Sequence, residues 1–312
     1  MTANLQNPIF TNEAKAREWL EARVWPNGPI CPHCGATGDD VTALHGKAHR
    51  PGLHQCSSCR EQFTVTVKTV FERSKVPLSK WLAALFMMTA SKKGVSAHQI
   101  HRSLGISYKT AWFLCHRLRE AMRSGGLSPM GGSGKTIEAD ETFIGRLEGQ
   151  PKRPSGYGHK NAILTLVERG GSARSFHVAG TSIADVAPIA RANVDRESRL
   201  MTDEGTHYKQ LGKEFSDHGT VEHGAKEYVR GDIHTNTIEG YFSVFKRGMR
   251  GVYQHCSEKH LHRYLAEFDF RYNNRTALGF NDLMRTEALG PQIKGKRLTY
   301  RRPHKVSQQS AH

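Results

Sequence analysis

Residues 136–144 read TIEADETFI and alternate apolar with polar side chains. This alternation is typical of a β-strand with one buried face. The stretch carries three acids, Glu138, Asp140 and Glu141, and strand alternation places Glu138 and Asp140 on one face and Glu141 on the other. The stretch therefore predicts a strand that brings carboxylates to a sheet.

The segments that follow this strand continue the pattern of an α/β domain. Two strands, a helix, a strand and three helices are predicted in turn over 161–168, 173–178, 183–194, 199–202, 206–215, 237–249 and 258–272. Three consecutive strands followed by alternating helix and strand is the order of a ribonuclease-H-like domain. We expect this domain over 136–280 and a basic tail over 281–312.

The chain ahead of the domain divides into four segments. An N-terminal helix is predicted in 1–27, a cysteine module over 28–72, a helical domain over 76–123 and a linker over 124–135. The linker contains five glycines, a composition that favours a flexible connection.

The cysteine module has two CxxC pairs, Cys31 with Cys34 and Cys56 with Cys59. Four thiolates at this spacing can close a tetrahedral zinc site, because each CxxC turn presents two sulfurs to one ion. No coordination position remains for water, so this zinc should be structural. We predict a zinc ribbon over 28–72.

The helical domain contains a pattern typical of a helix-turn-helix. A short amphipathic helix begins after Ser96, Gly105 lies in the turn, and a second helix runs over 108–122. Basic and polar residues lie outside the apolar stripe of this second helix, namely Lys109, Thr110, Arg117 and Arg119. The helix over 78–89 should complete an independent three-helix unit. We expect Lys109, Thr110 and Arg117 to contact DNA in the major groove.

The charge of the chain agrees with a DNA partner. Its 312 residues hold 45 Lys and Arg against 29 Asp and Glu, which gives a formal net charge of +16, and such a surface attracts nucleic acid. The longest apolar run is too short to span a bilayer, and the start of the chain has no signal segment. We expect a cytoplasmic, nucleoid-associated protein without a membrane partner.

Three acids and one lysine form the predicted catalytic set. Asp203 ends the predicted strand over 199–202, which should lie beside the strand of Asp140, and Glu239 belongs to a later helix. Their hard oxygens suit Mg²⁺, and two such ions can activate the attacking hydroxyl and stabilise the leaving oxygen of a phosphodiester displacement. Lys246 lies two helical turns after Glu239, where it can reach a DNA phosphate.

Other interpretations of these acids stay open at the level of sequence. Glu138, Glu141 and Glu204 are adjacent alternatives as metal ligands. Glu239 can also be the third helical residue of a capping box that Asn236 opens, and Asp203 can be an ordinary polar strand end.

Several motifs together resemble a known family. They are residues 31–35 (CPHCG), 56–64 (CSSCREQFT), 137–145 (IEADETFIG), 234–248 (HTNTIEGYFSVFKRG), 257–261 (SEKHL) and 270–275 (FRYNNR). The sequence is similar to the zinc-ribbon DDE transposases of bacterial insertion sequences, in the ISXO-like group. The resemblance extends from about Trp19 to Arg275.

The resemblance implies a fold, an activity and a set of site residues. It implies a ribonuclease-H-like core, dependence on Mg²⁺ (or Mn²⁺), cleavage at element ends and transfer of the 3′-hydroxyl to target DNA. The family's acids correspond to Asp140, Asp203 and Glu239, and its lysine corresponds to Lys246. Asn236 can assist without being a ligand. We expect a homo-oligomer on double-stranded DNA. A DNA-binding regulator and a metal-dependent nuclease without joining activity are the alternative functions.

Overall fold

The computed structural model describes residues 5–299 except 223, 225, 226 and 228. The first half contains, in chain order, α1 (Glu13–Val24), β1 (Val41–Ala43), β2 (His54–Cys56), β3 (Gln62–Phe63), α2 (Leu78–Ala90), α3 (Ala97–Leu104) and α4 (Tyr108–Met122). The second half contains β4 (Thr136–Ile144), β5 (Asn161–Glu168), β6 (Ala173–Val178), α5 (Ile183–Asn193), β7 (Arg199–Thr202), α6 (Thr206–Leu211), β8 (Asp217–Thr220), β9 (Val229–Arg230), β10 (Ile233–His234), α7 (Asn236–Gly248), α8 (Leu261–Asn273) and α9 (Asp282–Leu289).

The main sheet has five strands in the order β6-β5-β4-β7-β8. Strands β4, β5 and β6 pair antiparallel, whereas β4, β7 and β8 pair parallel. The predicted bounds of β4 to β7 agree with the structure. The sequence analysis missed β8, because its residues DHGT show no apolar alternation.

Helices cover both faces of this sheet. Ile137 and Ala139 pack with α5 and α6 on one face, while Ile144 of β4 and Ile163 of β5 pack with α7 and α8 on the other. Alternation along β4 therefore directs Glu138 and Asp140 toward α7.

The turn between α3 and α4 lies where the sequence predicts it, and a serine caps the start of each helix. The hydroxyl of Ser96 accepts a hydrogen bond from Gln99 N at the start of α3, and that of Ser107 accepts one from Thr110 N at the start of α4. Gly105 ends α3 with a φ of 59°, a left-handed conformation that glycine adopts without strain.

The expectation of an independent three-helix unit is wrong. A single apolar core joins α1, the small sheet β1–β3, helices α2 to α4 and the C-terminal helix α9. Trp25 packs edge-on against Phe63 at the base of the small sheet, and Trp81 of α2 is buried in the same core. The segments predicted over 1–27, 28–72 and 76–123 thus fold as one body.

The prediction of a basic tail over 281–312 is also wrong for its first part. Residues 282–289 form α9, Leu289 and Ile293 are fully buried in the N-terminal core, and Thr286 shares a hydrogen bond of 3.1 Å with Thr89 of α2. The few apolar side chains of this segment have a distant partner that local composition does not reveal. The part of the predicted tail over 300–312 lies outside the described residues.

The second half of the predicted linker is docked on the α/β domain. Met130 is buried, and its N–H donates to Asn193 O at 2.7 Å. Gly132 N donates to the Ser198 hydroxyl at 2.9 Å. Residues 124–129 therefore lead from α4 to the docked segment, and the chain returns to the N-terminal core between α8 and α9. Among the described residues, no helix is long and apolar enough to cross a bilayer.

Candidate active site

Two acids meet at neighbouring strand positions in the main sheet. Asp140 lies in β4 and Asp203 directly follows β7, and the parallel register pairs Glu138 with Met201. The paired ladder ends there, and Asp140 and Asp203 each follow this pair by two residues in sequence. Burial, and next the negative charges of Asp203 and Glu141, raise the pKa of Asp140 to about 8. The two carboxylates thus lie within electrostatic reach of each other.

Glu138 is fully buried, and both of its oxygens are occupied. Its Oε1 accepts hydrogen bonds from Arg169 Nε at 2.6 Å and from the Thr237 hydroxyl at 2.9 Å. Its Oε2 accepts one from Ile238 N at 2.8 Å. Glu138 therefore fixes the first turn of α7, where the free N–H groups of a helix favour a negative charge.

The other alternative ligands are also engaged elsewhere. The fully buried Tyr208 of α6 donates its hydroxyl to Glu141 Oε1 at 2.6 Å, on the sheet face opposite to α7. Glu204 is exposed, and its Oε1 accepts a hydrogen bond from Gly224 N at 3.1 Å. The Glu141 carboxylate therefore lies on the other side of the sheet from Asp140.

Helix α7 carries Lys246 toward the acid pair. The apolar face of α7 is buried as predicted and includes Ile238, Tyr241 and Phe245. Burial lowers the pKa of the half-buried Lys246, and the charge of Asp140 opposes this shift. Lys246 and Asp140 therefore interact, which agrees with the predicted orientation of this helix face.

Glu239 is exposed in the first turn of α7. Its Oε1 accepts a hydrogen bond of 3.4 Å from the Thr235 hydroxyl. Thr235 precedes the helix and Asn236 is its first residue, so the capping box opened by Asn236 is not formed. In the described part of the chain, three or more ligand side chains come within 4.8 Å of one another only at the cysteines. The structure thus does not bring Glu239 into a closed cluster with Asp140 and Asp203, and its role as a ligand stays a prediction.

The four cysteines form such a cluster at the small sheet. Sulfur atoms lie 3.6 Å apart in both the Cys31–Cys59 pair and the Cys34–Cys56 pair. A tetrahedral zinc with bonds of about 2.3 Å requires sulfurs about 3.8 Å apart. The thiols therefore fit one zinc ion with no position left for water.

Comparison with known proteins finds two transposase domains in this chain. Residues 131–273 match the ISXO2-like transposase domain, and residues 11–62 match the transposase zinc-ribbon domain. The chain is also 29% identical over 283 residues to an uncharacterized protein in transposable element ISH50 of Halobacterium salinarum, a match that covers 84% of this chain and 91% of that protein. The chain therefore contains an ISXO2-like transposase domain and a transposase zinc ribbon.

The two matched regions divide the transposase into a metal-binding part and a DNA-transposing part. The zinc-ribbon match contains all four clustered cysteines, which supports a structural zinc. The transposase-domain match contains Asp140, Asp203, Glu239 and Lys246. The resemblance stated from the motifs is confirmed, and the function of this chain is that of a DNA transposase.

The structure corrects the predicted exposure of two arginines in the transposase's helix α4. Arg117 is buried, donates from Nη2 to Glu72 O at 2.8 Å and has its guanidinium 5.3 Å from the Trp81 ring centroid. Arg119 is buried in an ion pair with Glu267 of α8. Helix α4 packs against both α2 and α8. These two helices bury residues of α4 that lie outside its apolar stripe.

The exposed residues of α4 lie in its first turn. Lys109 is exposed and Thr110 is half-buried. The ring of Tyr108, 44% exposed, stacks on His98 of α3 with centroids 4.2 Å apart. The sequence analysis missed this stacked pair, although Tyr108 is the first residue of the second predicted helix.

Proposed function

We propose that this transposase cuts DNA at element ends and transfers the new end to target DNA, with its catalytic centre at Asp140, Asp203, Glu239 and Lys246. The observation that carries the proposal is the proximity of Asp140, in β4, to Asp203, directly after the parallel neighbour β7, with the charge of Lys246 within electrostatic reach of Asp140. Carboxylates beside a cation are suited to binding metal and phosphate together.

The donor set of the acid pair fits Mg²⁺ or Mn²⁺. Both residues offer hard oxygen ligands. Burial, and next the charge of Asp203, raise the pKa of Asp140, and a divalent cation would favour the ionised carboxylates. When bound, the metal supplies activation of the attacking oxygen and stabilisation of the leaving oxygen. Glu239 is proposed as the third ligand from α7.

The protein's own groups position the DNA in this proposal. Lys246 provides a positive charge for the scissile phosphate. Glu138, held by Arg169 and by the start of α7, fixes the helix that carries Lys246 and Glu239. Glu138 is therefore a positioning residue in our proposal, because it acts through α7.

DNA recognition is assigned to the α3–α4 pair, with Lys109 and Thr110 in the first turn of α4 facing the major groove. Arg117 has no part in it, because it is buried. We also propose that the α/β domain is ribonuclease-H-like. Its three antiparallel strands followed by a helix and parallel strands support this class. A homo-oligomer on two DNA ends remains the expected assembly.

The experiment is the Asp203→Asn variant, assayed with Mg²⁺ and DNA that carries the repeats flanking the transposase gene. Cleavage and strand transfer should fall by about 100-fold or more, since a lost ligand removes several kcal/mol of transition-state stabilisation. DNA binding should stay unchanged. The matched control is Asp217→Asn, because Asp217 lies in the neighbouring strand β8 and pairs with Arg199 at the surface.

Near-normal cleavage by Asp203→Asn would reject Asp203 as a metal ligand. Strand-transfer products from the unmodified protein separate a transposase mechanism from that of a nuclease without joining activity.

A further inference from the structure

A cavity of about 520 Å³ lies where the end of α2 meets α7, α8 and the start of α9. Its walls come from both halves of the chain, because α2 belongs to the N-terminal core and α7 to a core of the α/β domain. Val244 of α7 and Phe268 of α8 contribute apolar wall, and the exposed residues Thr276 and Ala277 border the cavity at the surface. The cavity is therefore open to a ligand that lies on both halves.

The lining of this cavity carries more positive than negative charge. Four cations line it against one acid, namely Lys92, Arg271, Arg275 and Arg285 against Asp282. Arg285 pairs with Asp282 at 2.7 Å, so these two charges cancel. In the described part of the chain, neither Lys92 nor Arg275 forms an ion pair. The lining is thus left with a net positive charge, which favours an anionic ligand.

Arg271 adds a positive charge that the interior compensates only in part. The residue is 7% exposed, and it shares the carboxylate of Glu267 with the buried Arg119. Two buried guanidinium groups therefore pair with one carboxylate. The Nε and Nη2 groups of Arg271 have no hydrogen-bond acceptor among the described residues. Such incomplete pairing of a buried charge costs free energy, and an anion in the cavity would lower this cost.

Arg275 is held in place without the use of its charge. Its Nη1 donates to Gly171 O at 2.8 Å and to Tyr272 O at 2.9 Å, and its guanidinium carbon lies 4.0 Å from the centroid of the Tyr272 ring. Within residues 5–299 as described, this guanidinium makes no other hydrogen bond. Its position is fixed before a ligand arrives, which reduces the cost of ordering it on binding.

Fixed cations beside apolar walls match the sugar–phosphate backbone of DNA. Low-dielectric walls concentrate the field of the cations on an anion, and the planar guanidinium group suits phosphate oxygens. The volume of about 520 Å³ leaves room beside a phosphate for the adjoining deoxyribose, whose carbons can contact Val244 and Phe268. DNA is the polyanion on which a transposase acts.

We propose that this cavity binds one backbone phosphate of the DNA, with Lys92 and Arg275 in contact with the phosphate and the charge of Arg271 behind it. Such a contact carries no sequence information. The inference rests on the transposase function for the choice of DNA as the anion, and it does not depend on the proposed catalytic centre.

The test is the salt dependence of DNA binding by the full-length protein. It is measured without added Mg²⁺ or Mn²⁺ and without chelator, so that no cleavage occurs and the zinc is kept. The Lys92→Gln variant should reduce the salt slope by about one unit. Its affinity should therefore fall about three- to fourfold less than that of the unmodified protein over a fourfold rise in salt. Lys92→Arg should keep the full slope, because it keeps the charge. Arg275→Gln should act as Lys92→Gln does.

The matched control is Lys93→Gln, because Lys93 is the adjacent exposed lysine and does not line the cavity. This variant should keep the slope of the unmodified protein. Two duplexes of equal length serve as probes, one with the terminal repeats and one of mixed sequence. A backbone contact should give the same change of slope with both, whereas a contact that reads bases would act on the terminal repeats alone.

Equal salt slopes for Lys92→Gln and Lys93→Gln would overturn the proposal, and so would a change of slope confined to the terminal repeats. Inorganic phosphate at constant ionic strength tests the cavity as a site for a free anion. If phosphate raises the Tm of the unmodified protein but not of Lys92→Gln, while the two variants bind DNA alike, the cavity holds a small anion and the assignment to DNA is wrong. Because no step requires a catalytic metal, these outcomes are independent of whether Asp203 is a metal ligand.

Discussion

Exchange of Glu138 for Gln tests whether this residue positions α7 or binds the catalytic metal. The carboxylate is fully buried and accepts three hydrogen bonds of 2.6–2.9 Å, from Arg169, Thr237 and Ile238. The side chain of Gln has an NH2 group in place of one carboxylate oxygen, so this group would face one of the three hydrogen-bond donors and could not accept from it. The substitution also removes the negative charge that pairs with Arg169.

The magnitude follows from the burial of the two partners. Removal of one member of a buried ion pair costs about 3–5 kcal/mol. The Arg169 side chain is 21% exposed, so solvent recovers part of this loss, and Gln keeps some of the hydrogen bonds. We expect the free energy of unfolding to fall by about 2–3 kcal/mol.

The matched control is Asp140→Asn, the same chemical change two residues along the same strand face. A pKa of about 8 for Asp140 in the fold means that folding opposes its ionisation. At any pH at which Asp140 is ionised in the unfolded chain, this residue therefore lowers the free energy of unfolding. The loss grows as the pH rises from about 4 to about 8. The Asn variant should be more stable than the unmodified protein by about 1–3 kcal/mol at pH 7 and equally stable near pH 4, with solvent screening considered.

Urea unfolding of the zinc-loaded protein without Mg²⁺, followed by far-ultraviolet circular dichroism, measures both variants. The two substitutions should change stability in opposite directions at pH 7. A Glu138→Gln variant with unchanged stability but weakened Mn²⁺ binding would refute the reasoning and make Glu138 a metal ligand.

Three further substitutions test the zinc site, the phosphate contact and the contact between the two halves. Cys56→Ser should lower the zinc content from about one per chain and unfold the small sheet, and a full zinc load in this variant contradicts the site. Lys246→Ala should depress cleavage and reduce the salt slope of binding to terminal DNA by about one unit; unchanged values for both contradict the phosphate contact. Glu267→Gln should lower the free energy of unfolding by about 3–5 kcal/mol, whereas Arg123→Gln, which breaks the half-exposed pair with Glu120, should cost about 1 kcal/mol or less. Equal losses of stability for these two variants in urea unfolding would contradict the buried role of Glu267.

The neighbouring positions of Asp140 and Asp203 could be predicted because they depend on local signals. Alternation predicted the bounds of β4, a short apolar run predicted β7, and neighbouring parallel strands bring residues at corresponding positions side by side. The function of Glu138 could not be predicted in this way. Alternation assigns it to the same face as Asp140, and only the docking of α7 decides that its oxygens bond to Ile238 N and Arg169.

Long-range packing also explains the errors in α4 and α9. The bounds of α4 follow from its own apolar period and its serine cap, but the partner of Arg119 is Glu267, 148 residues away. A charged side chain outside the main apolar stripe appears solvated until a second helix with an opposite charge is placed against it. The burial of Leu289 and Ile293 in the predicted tail could not be predicted for the same reason, because the core into which they pack is formed by the N-terminal part of the chain.

The contact between α4 and α8 constrains how the two halves of the transposase act on one DNA. Glu267 accepts hydrogen bonds from Arg119 Nε of α4 at 2.7 Å and from the Tyr253 hydroxyl after α7 at 2.5 Å, and it also pairs with Arg271. A rotation of α4 away from α8 would separate the buried Arg119 from Glu267 at a cost of several kcal/mol. The glycine-rich residues 124–129 therefore do not give the halves independent motion. If the first turn of α4 holds a duplex as proposed, the direction of that duplex relative to Asp140 is set by this buried ion pair and not by the reach of the linker.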